Sequence, residues 1–90
     1  MYKHLNIVIS GKVQGVFYRT ATKNKARDLD LVGFVHNEPD DSVSIEVEGE
    51  EEKLDQFLDF CKSGPDHAQV SNIDVQEKEL KNFKEFKIKY

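Results

Sequence analysis

The chain has 90 residues, 38% of them apolar and 33% charged, with a formal net charge of −4. That length holds one domain with one core over residues 1–90, and no apolar run approaches the ~18 residues a membrane span needs. The acidic balance argues against nucleic acid, whose binders carry a basic face, and a lone cysteine, Cys61, excludes an internal disulfide framework.

The chain opens Met1-Tyr2-Lys3-His4 directly into a strand pattern, with no apolar leader, so a cytoplasmic location is expected. Leu5, Ile7 and Ile9 alternate with polar or smaller neighbours and predict a first strand with one apolar face. Then comes Gly11-Lys12-Val13-Gln14-Gly15-Val16-Phe17-Tyr18-Arg19, a glycine-punctuated turn from strand to helix start. Such a turn can aim several amide N–H groups at one point, and the helix dipole favours an anion there. Arg19 adds a planar fork of donors matched to two phosphate oxygens. The turn therefore reads as an oxyanion or phosphate cradle.

The first helix is expected from about Tyr18 to Asp30, with Tyr18, Thr22, Ala26 and Leu29 as its inner stripe. Leu31 to Asn37 predicts a second strand, suited to a central position by Gly33, Phe34 and Val35. Glu38-Pro39-Asp40-Asp41 is a turn. In Ser42 to Glu48, Val43, Ile45 and Val47 alternate with Ser44, Glu46 and Glu48, predicting one buried face and one wet face. After Gly49, Glu50, Glu51 and Glu52 place negative charge in the first turn of a second helix. Leu54, Phe57, Leu58 and Cys61 form its core stripe, and Gly64 and Pro65 stop it. Val70 to about Glu79 is a weaker strand with Ile73 and Val75 inward. Phe86, Ile88 and Tyr90 alternate with Lys87 and Lys89 in a final strand, whose lysines protect an edge. The resulting order is an α+β, ferredoxin-like βαββαβ sandwich with an extra C-terminal strand. Two helices cover one face of a mainly antiparallel five-stranded sheet.

Several side chains read as structural. Cys61 sits on a helical core stripe and is expected to be a small buried group, not a nucleophile. His36 neighbours Asn37 on a strand, so it should face the opposite way, toward solvent. Asp40 and Asp41 lack His or Cys neighbours and are poor evidence for a metal site.

Two stretches carry a family resemblance. The first is Gly11, Val13, Gln14, Gly15, Val16, Phe17, Tyr18 and Arg19; the second is Gly33, Phe34, Val35 and Asn37, followed by Val43 and Gly49. Together they resemble the two signatures of the acylphosphatase family, and the likeness runs from the first strand to Tyr90. Asp30 and Asp41 stand where the family places glycine, and His36 where it usually has lysine, arginine or a small polar residue. The resemblance implies hydrolysis of the mixed anhydride between a carboxylic acid and phosphate. It implies that the amides of Gly15, Val16, Phe17, Tyr18 and Arg19 cradle the phosphoryl group, that the Arg19 side chain clamps it, and that Asn37 holds the attacking water. It implies no metal, no cofactor and no covalent intermediate. A monomer is expected, with a small-molecule acyl phosphate as partner and inorganic phosphate as product and competitive inhibitor. The fold alone also admits a module that senses phosphate or carboxylate without turnover; such a module has no use for a water-holding asparagine. An RNA-binding sheet is disfavoured by the charge and by missing aromatic signature residues.

Overall fold

Period-two and period-3.6 patterns resolve into five strands and two helices, and the computed structural model describes residues 1–90. In chain order these are β1 (Tyr2–Lys12), α1 (Tyr18–Asp28), β2 (Val32–Asn37), β3 (Val43–Glu50), α2 (Glu51–Ser63), β4 (Gln69–Lys78) and β5 (Phe86–Ile88). The sheet order is β4-β1-β3-β2-β5. Only the β2–β5 pairing is parallel.

Leu5, Ile7 and Ile9 of β1 stand opposite Val47, Ile45 and Val43 of β3. Val35 of β2 lies between Ile45 and Ile88 of β5. These side chains floor the core. α1 lays Tyr18, Thr22 and Ala26 on it, and α2 lays Leu54, Phe57 and Cys61. The Phe57 ring meets Phe86 edge-on, centroids 6.3 Å apart. Burying a ring of that size contributes about 2–3 kcal/mol.

Strand direction positions everything that follows. β1 and β2 each run antiparallel to β3. They therefore run parallel to each other, and their C-terminal ends share one end of the sheet, with the start of β3 between them.

Four expectations need correction. The face of β3 carrying Ser44, Glu46 and Glu48 is not wet: Ser44 is 8% exposed and Glu48 0%. β4 and β5 are opposite edges, so the segment joining them, 79–85, must cross the face the helices leave bare. Asn82 in this segment takes φ 59°, and the amides of Lys81, Asn82 and Phe83 all donate to the Glu48 carboxylate. Burial of an unpartnered carboxylate costs several kcal/mol; three aimed N–H groups offset that cost. His4, also fully buried, donates from Nδ1 to the Glu79 carbonyl at 2.6 Å, because a carbonyl oxygen can only accept.

The second correction is the end of α1, at Asp28 rather than Asp30. Leu31 N–H bonds to the Ala26 carbonyl at 2.8 Å and Asp30 N–H to that of Arg27 at 3.1 Å. That is the Schellman closure, with Asp30 at φ 58° in the place glycine usually fills. Third, Val75 does turn to the helix side opposite Ile7, but on the edge strand its cover thins and it stays 40% exposed. Fourth, β5 stops at Ile88, and Tyr90 lies beyond it, fully exposed.

Candidate active site

The site begins where β1 leaves the sheet. The β1–β4 register shifts between Ser10 and Gly11. Gly11 has φ 126°, and a Cβ there would strike the carbonyl oxygen of Gln69. Beyond this bulge the chain curls toward α1. Gly15 takes φ 72° and Phe17 φ 62°, with Val16 between them. Alternation of backbone hand turns successive N–H groups toward one concave side. No N–H from Gly15 to Thr20 donates to a backbone carbonyl; the first to do so is that of Ala21, to Phe17 O at 3.0 Å. Phe17 is the N-cap of α1 yet supplies no capping side chain, and the first turn of α1 has no acidic residue. The positive end of the helix dipole is thus left without an internal counter-charge.

A pocket of about 240 Å³ opens on these amides, lined by Val13, Gly15, Phe17, Tyr18, Arg19, Thr20 and Asn37. Arg19 is half-buried and joins none of the chain's ion pairs. Its guanidinium carbon lies 5.1 Å from the centre of the Tyr90 ring, a cation–π contact. Asn37 closes β2 opposite Val43. It shares the helix-side face with Val35, so it points toward the start of α1. Its side-chain oxygen is buried without a hydrogen-bond partner. The shared end of β1 and β2 therefore brings together Arg19, Asn37 and the predicted cradle residues Gly15, Val16, Phe17 and Tyr18, Val16 contributing through its position in the curl.

Gln14 locks the two halves to each other. Its Nε2 donates to the carbonyls of Glu38 at 3.0 Å and Ser42 at 2.9 Å, spanning from the cradle to the turn after Asn37. Sequence reading had this glutamine within a motif but gave it no task. Its one available signal was a long amide side chain set directly before Gly15. Thr20, on the pocket wall, was missed as well.

The remaining candidates lie elsewhere. Tyr18 is 1% exposed, and its hydroxyl donates to the Cys61 carbonyl at 2.7 Å; burial raises its pKa well above the ordinary range. Only its backbone belongs to the cradle. Cys61 is fully buried, and burial pushes its thiol up to about 12. His36, expected to be solvated, is half-buried on the crossed face, with its ring against Phe34 and Nε2 4.0 Å from Glu38. Asp40 accepts from the Ser42 hydroxyl at 2.6 Å and the Ser42 N–H at 3.1 Å, and those bonds hold its carboxyl below the usual range. It shapes the turn. A larger depression of about 650 Å³ lies between Tyr2–His4 and Glu77–Leu80. Its wall alternates Lys3 and Lys78 with Glu77 and Glu79, so opposite charges offset one another there.

A ferredoxin-like sheet with amides and an unpaired arginine converging at one end has donors suited to a tetrahedral oxyanion of the phosphate class. The comparisons narrow that class. The acylphosphatase family profile matches residues 5–88. An acylphosphatase of Acaryochloris marina is 49% identical over 84 residues, covering 93% of this chain and 90% of the relative. One of Archaeoglobus fulgidus is 44% identical over 86 residues, covering 96% and 97%. The crystal structure of a Bacillus subtilis acylphosphatase superposes with a TM-score of 0.95 at 34% identity, covering all of both chains. The chain belongs to the acylphosphatase family, and with it to the hydrolases.

Proposed function

We propose that the chain hydrolyses the carboxyl–phosphate anhydride of an acyl phosphate to a carboxylate and inorganic phosphate, with Arg19 and Asn37 in separate roles. What supports this reading is one pocket that joins the unengaged amides, the unpaired Arg19 and Asn37. The Asn37 oxygen has no hydrogen-bond partner within the protein, an omission that costs about 1–3 kcal/mol, and a turn of the side-chain amide toward the pocket would let that oxygen accept from a water.

In this reading the non-bridging phosphoryl oxygens accept from the amides of Gly15 to Arg19 and from the guanidinium. Asn37 accepts from the water and aligns its oxygen with phosphorus. The water oxygen bonds to phosphorus as the bond from phosphorus to the acyl oxygen breaks. The carboxylate departs with the electron pair, and both water protons stay on the phosphate until exchanged with solvent. A carboxylate is a stable anion and needs no proton to leave, so no group of tuned pKa is called for. Positioning and charge stabilisation supply the acceleration. Inorganic phosphate fits the same cradle and competes with substrate. The whole site comes from one chain, which suits a monomer, and a single buried thiol suits a reducing cytoplasm.

The test is Asn37→Ala. Turnover on an acyl phosphate should fall by a factor of about 10², while the inhibition constant of phosphate stays within about twofold. Loss of phosphate affinity with an unchanged single-turnover rate would make Asn37 a binding residue and sink the assignment.

A further inference from the structure

On the wall of the pocket, a largely exposed aromatic side chain is attached to one of the most constrained backbone positions. Phe17 is 81% exposed and holds φ 62°. That region suits glycine or asparagine, and for a bulky residue it is a true outlier. The curl of the cradle requires the backbone angle, but nothing in the curl requires a ring. A strained aromatic left in water at a site lip is the kind of outlier that points to a task for the side chain.

The neighbours narrow that task. Val13 and Tyr18, the other apolar residues on the pocket wall, are each 1% exposed and present no area to a ligand. Tyr90, fully exposed, stands against the Arg19 guanidinium but is not part of the pocket wall. Phe17 is thus the one apolar side chain of that wall that presents area to a ligand. With a phosphoryl group seated on the amides, the acyl portion would leave through the open mouth of the pocket, whose wall includes Phe17.

We infer that Phe17 is a specificity-determining contact for the acyl group, and that the preferred substrates are phosphate anhydrides of aromatic or otherwise bulky apolar acids rather than of acetate. The inference rests on the hydrolytic reading above and adds the leaving-group side of the site to it. Its amide belongs to the cradle; its ring sets which acid is accepted.

The experiment compares kcat/KM for benzoyl phosphate and acetyl phosphate in the wild type and in Phe17→Tyr, Phe17→Asn and Phe17→Gly. Asparagine and glycine tolerate the left-handed backbone and keep the amide, so the cradle is retained in both. The intrinsic reactivity difference between the two substrates cancels when the benzoyl-to-acetyl ratio of each variant is divided by that of the wild type. That ratio should fall about tenfold in Phe17→Asn and Phe17→Gly, the scale of one lost apolar contact, and should be kept in Phe17→Tyr. A purely structural role lowers both substrates together and leaves the ratio unmoved, and that result overturns the inference. So does a wild-type enzyme with no preference for the benzoyl compound beyond its solution reactivity. Absence of hydrolysis of either compound by the wild type would instead overturn the hydrolytic reading.

Discussion

The two helices begin in opposite ways. α2 starts at Glu51 with Glu51 and Glu52 in its first turn, and its first amide donates to the Met1 carbonyl at 2.8 Å. Its dipole is answered by its own carboxylates. α1 starts from a left-handed Phe17 with no acidic residue in its first turn, and neither helix has a capping side chain. Backbone physics is the same in both, so the side chains decide which helix start is structure and which is site. A helix that forgoes the ~0.3–1 kcal/mol that an acid in its first turn contributes keeps its amides for something else.

The largest expected break in this contrast comes from Arg19→Ala. It removes the only positively charged side chain on the pocket wall, and kcat/KM should drop by about 10³ or more, with phosphate inhibition weakened in parallel. Arg19→Lys should recover little, because an ammonium lacks the planar fork. Steady-state kinetics with phosphate inhibition, on variants shown to fold, decides both. Recovery of most activity by lysine would mean that charge alone matters.

A sharper test gives α1 the chemistry of α2. Thr20 lines the pocket in the first turn of α1. Thr20→Glu supplies a carboxylate to the uncompensated dipole and should stabilise the fold by about 0.5 kcal/mol in a denaturant melt. The same charge competes with the substrate, so phosphate affinity should fall about tenfold, since ~1.4 kcal/mol corresponds to a factor of ten. Stability and phosphate binding that both rise, or both fall, would refute the idea that this helix start is held open for an anion.

The smallest effect belongs to α2. Lys3 Nζ lies 2.9 Å from Glu51 Oε2. That hydrogen bond and the charge of Lys3 hold the Glu51 carboxyl below its ordinary pKa. A lowered carboxyl pKa gives stability that is present above the unfolded-state value and lost as pH falls through the folded-state value. Glu51→Gln should therefore lower the melting midpoint slightly at neutral pH, and the difference from wild type should vanish in acid and shrink in high salt. Activity should not change; a loss of turnover would tie the α2 start to the site after all.

How much of this was legible in the sequence follows from where each signal lives. Val43, Ile45 and Val47 announce β3 because a strand shows its buried face every second residue. Leu54, Phe57 and Cys61 announce α2 in the same way at helical spacing. Gly11 and Gly15 mark the cradle because few other residues fit its angles. The polar face of β3 misled because alternation says which residues share a face, not what lies over it. The donors that bury Glu48 are backbone amides, which leave no trace in residue type. Phe17 misled for the opposite reason: a phenylalanine gives no hint of a left-handed backbone. Arg19 and Asn37 stood out in motifs, whereas the bridge from Gln14 to Glu38 and Ser42 needed the two strand ends placed side by side.

The crossing segment that buries Glu48 links distant parts of the molecule. β5 has three residues and pairs only with β2, so little in the sheet itself holds it. The amides of Lys81, Asn82 and Phe83 on Glu48 anchor the chain just before it, and Arg27 holds the Phe86 carbonyl from the helix side, with Nη2 at 2.9 Å. The same strand ends two residues short of Tyr90, whose ring backs Arg19. Release of the Glu48 anchor therefore frees the crossing segment first, while β5 stays held by the buried Phe86 ring and by Arg27. A carboxylate buried on one face of the sheet thus sets how tightly the chain is led into the strand that precedes the tyrosine behind Arg19.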